Sequence, residues 1–70
     1  MMPLTFTRVG EVKCIARING KDETKRFLNN LGFVEGSEIS IVSELAGNLI
    51  VMVKGTRVAI SKEMANRIVV

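Results

Sequence analysis

The sequence predicts a mainly β domain: a small antiparallel barrel of about five short strands, one short α-helix inserted at about residues 22–31, and one helical turn near residues 62–66. Three observations lead there. Apolar and polar residues alternate with period two through most of the chain. Glycines at positions 10, 20, 32, 36, 47 and 55 punctuate that alternation. Finally, 33 of the 70 residues are apolar (47%), and a closed barrel leaves little exposed edge on such a chain. Among small barrels an SH3-like one fits best, with the helix in the first long connection. A single domain spanning residues 1–70 is expected, since domains rarely fall below about 50 residues.

In order along the chain, Val12, Cys14, Ala16 and Ile18 alternate with Lys13, Ile15 and Arg17. This reads as one half-buried strand with Ile15 as the exception. It ends at Asn19-Gly20, residues that tolerate positive φ. Thr24, Phe27, Leu28 and Leu31 then fall at i, i+3, i+4 and i+7, the stripe of an amphipathic helix. Asp22 is the expected N-cap, Glu23 suits the positive end of the dipole, and Gly32 suits the stop.

Alternation returns at residues 37–44, with Ile39 and Ile41 on one face and Ser40 and Val42 on the other. Ala46-Gly47-Asn48 reads as a hairpin turn. The apolar run 49–53 predicts a strand that is either covered on both faces or shows apolar surface. A second tight turn is expected at Gly55, with Arg57, Ala59 and Ser61 opposite Val58 and Ile60. Ser61 is placed to cap one turn over residues 62–66, and residues 68–70 form the last strand.

Composition excludes much chemistry. The chain has no His, Tyr or Trp, one Cys and three Phe. Without His there is no triad base and no commonest metal ligand. One Cys forms no internal disulfide and no Cys-only zinc site, so Cys14 is expected to be a small buried hydrophobe in a reducing compartment. Neither a phosphate-binding loop of the G-x-x-x-x-G-K-[ST] type nor G-x-G-x-x-G is present. The acidic residues Glu11, Asp22, Glu23, Glu35, Glu38, Glu44 and Glu63 read as solvated surface. No catalytic residue, no metal ligand and no cofactor is expected, so the chain is not read as an enzyme. Three phenylalanines are too few for a proline-peptide groove or a base-stacking platform.

The net charge is +3, from ten basic and seven acidic residues. Residues 1–35 carry six basic and four acidic groups, and residues 36–70 carry four and three, so there is no basic arm. Nucleic acid is not the expected partner. If the chain were a basic nucleic-acid-binding barrel instead, Lys13, Arg17 and Arg57 would be its contacts. No run approaches the roughly 20 apolar residues of a membrane span. Residues 1–5 lack a signal-peptide pattern. A cytoplasmic location without direct membrane insertion is expected.

Three segments together resemble the ferrous iron transport protein A (FeoA) family. They are Lys25-Arg26-Phe27-Leu28-Asn29-Asn30-Leu31-Gly32-Phe33-Val34-Glu35-Gly36, Val53-Lys54-Gly55-Thr56-Arg57-Val58-Ala59-Ile60-Ser61, and Met64-Ala65-Asn66-Arg67-Ile68-Val69-Val70. Val9-Gly10 precedes them, and the resemblance runs from about residue 4 to residue 70. It implies an SH3-like barrel and a cytoplasmic accessory or regulatory role in ferrous iron uptake. The implied partner is the membrane transporter FeoB, whose cytoplasmic part carries a GTPase domain. Related domains also end metal-dependent repressors, but a helix-turn-helix segment is missing here, so the chain resembles the stand-alone form. Glu35 stands where the family often has Pro, which removes a fixed φ and adds a charge.

The apolar surplus suggests a contact surface, either for the transporter or for a homodimer. Its expected members are Leu31, Gly32, Phe33, Val34, Glu35, Gly36, Ile50 and Met52, with Ile15 and Leu45 as further outward apolar residues. Gly10, Gly32, Gly36 and Gly55 are read as structural turns.

Overall fold

A computed structural model describes residues 1–70. The elements are a 3-10 turn (Leu4–Phe6), β1 (Val12–Cys14), β2 (Arg17–Ile18), α1 (Asp22–Asn30), β3 (Glu38–Leu45), β4 (Asn48–Val53), β5 (Thr56–Ser61), α2 (Lys62–Ala65) and β6 (Ile68–Val69). Two antiparallel sheets result, one in the order β1-β3-β4-β5 and one pairing β2 with β6. The chain ends join the second sheet: Met2 and Val70 exchange backbone hydrogen bonds at 2.9 and 2.8 Å.

The strand expected over residues 12–18 divides in two, which gives six strands. Ile15 is the cause. Its N–H donates to Ser37 O (2.9 Å) and its carbonyl accepts from Gly36 N–H (2.8 Å), while Ala16 N–H already donates to Val69 O (2.7 Å). The chain therefore leaves one sheet and enters the other between Ile15 and Ala16. The bend sets the facing: Ile15 is 2% exposed, in the core, while Val12 is 60% exposed and Cys14 is also exposed. Both the buried cysteine and the outward Ile15 are thus corrected. An isoleucine at a bend has no polar alternative face to choose, so burial decides.

α1 matches the expected helix within a residue. Its N-cap position is Lys21, with extended φ/ψ and no side-chain cap bond, so Asp22 is the first helical residue rather than the cap. Asp22 and Glu23 still lie in the first turn, favourable to the dipole. Leu28 is buried, but Phe27 is 52% exposed, against expectation. Phe27 sits about 100° round the helix from Leu28, and a helix touching the barrel along one narrow line cannot bury both.

The helix stops in a Schellman arrangement. Phe33 N–H donates to Leu28 O and Gly32 N–H to Asn29 O, both at 3.0 Å. The arrangement needs a left-handed residue between them, and Gly32 supplies φ +104°. It also swings Phe33 inward, where its side chain is wholly buried with Leu28.

Within the larger sheet, Leu49, Val51 and Val53 of β4 face the core, and Ile50 and Met52 face outward, half-buried. The apolar run is thus an alternating strand whose outer face is also apolar. β3 carries a register shift between Ile41 and Ser43, which makes room for Val42 as an extra residue. Two hairpins close with two-residue loops, Ala46-Gly47 (φ 52° and 83°) and Lys54-Gly55 (φ 50° and 74°). Positive φ at both positions is the type I′ turn that suits strand twist. Gly10 and Gly36, read as turns, also have positive φ. Ala46 is the strained member of its turn, since left-handed φ costs an L-residue about 1–2 kcal/mol. Ala46→Asn, which makes the favoured Asn-Gly loop, will raise unfolding free energy by about 0.5–1 kcal/mol in urea melts. No gain would mean that this loop relaxes in solution.

Ser61 caps α2 as expected, its Oγ accepting from Met64 N–H at 3.2 Å. Thirteen residues form one core, including Leu4 from the 3-10 turn, which sequence patterning had not marked. Thr7 is buried beside that turn, its hydroxyl without a partner.

Candidate partner-binding surface

The register fixes what the outer face of the four-stranded sheet presents. Val12 pairs with Ser40, Ser40 with Met52, and Met52 with Arg57. Cross-strand partners point to the same face, so these four form one row across all four strands. The neighbouring row holds Ser43, Ile50 and Ala59. An antiparallel sheet with one solvated face ordinarily alternates apolar inward and polar outward. Here Val12, Ile50, Met52 and Ala59 occupy outward positions. Arg57 bounds the patch at β5, and Cys14 and Glu38 pair beside it at the other end. A shallow groove of about 400 Å³ opens there, lined by Val12, Glu38, Ser40, Met52 and Lys54 among others.

The expected contact residues separate into different environments. Ile50 and Met52 lie on the outer sheet face. Leu31 packs against the core, and Phe33 is 0% exposed. Its outward placement is corrected, and a wholly buried ring offers no surface to a partner. Val34 and Glu35 line a second groove of about 270 Å³ with Ile18, Lys25 and Asn29. Gly32 lies beside β4, where a Cβ built on it would stand 3.6 Å from Val53 Cγ1. Gly36 is exposed in the loop. Segment 31–36 is thus mainly the connection that carries α1 into the barrel. Leu45 is exposed as expected, at the tip of the β3–β4 hairpin.

Val12 and Ala59 were not singled out from the sequence. Folding residues 49–53 onto 56–61 about Lys54-Gly55 places Ala59 opposite Ile50 and would have found one of them. Val12 needed the bend at Ile15.

The three cations expected of a nucleic-acid contact do not converge. Arg57 is on the outer face, Arg17 on the separate β2–β6 sheet, and Lys13 opposite core residue Ile39, reaching Glu11 at 3.9 Å. A phosphate-binding protein gathers its cations on one face, so this arrangement does not favour nucleic acid. No three His, Cys, Asp or Glu side chains come together. The Lys62–Glu44 ion pair ties α2 to the end of β3, but at half exposure it adds little.

The FeoA domain family matches residues 2–70. Over 70 residues the chain is 29% identical to a Methanocaldococcus jannaschii protein named for Fe(2+) transport protein A, covering all of this chain and 85% of that one. A crystal structure of an iron uptake regulatory protein, FeoA, superposes with a TM-score of 0.86 at 30% identity, over 96% of this chain and 89% of that one. The zinc-complexed FeoA of Stenotrophomonas maltophilia, described as a prokaryotic SH3 domain protein, gives 0.84 at 28% identity, over 99% and 88%. The two-sheet barrel is thus the SH3-like fold expected from the strand pattern, and this chain belongs to the FeoA domain family.

Proposed function

We propose that this chain is a small cytoplasmic accessory protein of ferrous iron uptake. It docks on the cytoplasmic, GTPase-bearing part of the transporter FeoB through the outer face of its β1-β3-β4-β5 sheet. The observation that carries this reading is the group of outward apolar side chains, Val12 and Met52 in one cross-strand row and Ile50 and Ala59 in the next, at positions a solvated sheet gives to polar residues. Family membership supplies the iron context. The reading assigns no catalysis to the chain, whose sequence has no His and no phosphate loop. No helix is long and apolar enough to cross a membrane, and in this reading the partner supplies the link to it.

Titration calorimetry of the chain against the purified cytoplasmic region of FeoB tests it. Saturable binding with Kd in about the micromolar range is expected. Absence of binding at about 100 μM, roughly a hundred times that Kd, would contradict the reading.

A further inference from the structure

We propose that the chain forms a two-fold homodimer in which β5 pairs antiparallel with β5 of a second copy, centred on Ala59. This goes beyond the docking reading and does not depend on it. β5 is the last strand of its sheet, with β4 on one side and no strand on the other.

Its hydrogen-bonding phase follows from the β4–β5 hairpin. The two-residue loop closes at Val53/Thr56, a hydrogen-bonded pair in such a turn. Lys62 N–H donates to Gly47 O at 3.3 Å, which continues the same phase beyond the other end. Hydrogen-bonded pairs therefore fall at Val53/Thr56, Val51/Val58 and Leu49/Ile60. The N–H and C=O groups of Arg57, Ala59 and Ser61 point away from β4. No backbone hydrogen bond outside the ladders reaches them. Edges are normally blocked by proline, bulges, shortness or clustered charge. β5 is six residues long, pairs in register throughout, has no proline and carries one charge.

A two-fold axis must set residues with outward-pointing groups opposite one another; registers centred beyond Ala59 match three residues of β5 or fewer, and charge selects among the rest. With Arg57 opposite Arg57 of the second copy, like charges meet directly, which is unfavourable. With Arg57 opposite Ala59, the two arginines sit two residues apart, about 7 Å along the strand. With Ala59 opposite Ala59, Arg57 faces Ser61 and the arginines stand four residues apart, about 13 Å. The last register also sets half-buried Val58 opposite Ile60. It extends the outward Ile50–Ala59 row into the second copy as one apolar strip, with the smallest side chain at the axis.

Sedimentation velocity under reducing conditions, which prevent linkage through exposed Cys14, reads the outcome. The wild-type chain should pass from 7.7 kDa to twice that mass as its concentration rises towards about 1 mM. Ala59→Pro removes the outward N–H without touching the β4 ladder, and Ala59→Lys opposes two cations at the axis. Each should weaken dimerisation at least about tenfold with the circular dichroism spectrum kept. Should Ala59→Pro unfold the chain, Ala59→Lys decides, because position 59 is exposed. A wild-type chain that stays monomeric, or a folded Ala59→Lys variant that dimerises like wild type, overturns the proposal.

Discussion

Replacing Phe33 with alanine will lower the unfolding free energy by about 3–5 kcal/mol, the cost of deleting a large ring from a packed core. Phe33 is the largest of the fully buried side chains. Its backbone also closes the helix stop, through the N–H that donates to Leu28 O at 3.0 Å. Leu28 and Phe33 are partners in that stop, and both belong to the single core. For 70 residues, about 0.05–0.15 kcal/mol per residue gives a total stability of roughly 3.5–10 kcal/mol. The substitution therefore removes between about a third and all of it, and the urea midpoint of the variant will fall accordingly. Urea denaturation followed by circular dichroism checks this; a loss under about 1.5 kcal/mol would show that the ring is not packed as described. The result has a practical consequence. A charged residue at position 33 abolishes any activity by unfolding the chain, so loss of partner binding there identifies no surface.

Met52→Asp has the opposite signature: the fold survives and partner binding falls by at least tenfold, about 1.4 kcal/mol. Met52 lies on the outer face of β4, half-buried between buried Val51 and Val53, so a carboxylate there reaches water. Its cross-strand partner is Arg57, and an Asp–Arg pair directly opposite is worth about 0.2–1 kcal/mol. That offsets the low strand propensity of Asp, whose scale spans about 1 kcal/mol. The same change puts a carboxylate into the middle of the proposed docking face, where a partner would have to desolvate it. Ile50→Asp shares the binding defect but lacks the compensation, because its partner on β5 is Ala59, and should be the less stable of the two. Calorimetric binding together with urea melts separates the effects. Unchanged binding in folded Met52→Asp would remove this face from the interface.

Much of the fold was legible because the physics behind it is local. Both hairpins were marked by a glycine, Gly47 after Ala46 and Gly55 after Lys54, α1 by its stripe and by Gly32, and α2 by Ser61. The alternation of β3 and β5 named their core faces correctly. The misreadings have non-local causes. Residues 12–18 look like one strand, and only pairing with Ser37 and Val69 reveals the bend at Ile15. That bend exposes Cys14 and Val12, which alternation alone had placed inside. Phe27 and Phe33 exchange environments because the helix touches the barrel along one narrow line and its stop turns the chain inward. Leu4 enters the core through a three-residue turn too short to show any period. The outward face of the sheet was half legible. Ile50 and Met52 stand out as apolar residues beyond what one face of a strand can bury, whereas in segment 31–36 Gly32 serves the helix stop and Gly36 donates to the bend at Ile15.

Amide chemical-shift mapping tests whether the partner covers the outer sheet face. The 15N-labelled chain is titrated with the unlabelled cytoplasmic region of FeoB. Shifts and line broadening will concentrate at Val12, Ser40, Ile50, Met52, Arg57 and Ala59. Perturbation confined to Lys25, Asn29, Val34 and Glu35, the groove beside α1, with the sheet face silent, would contradict it.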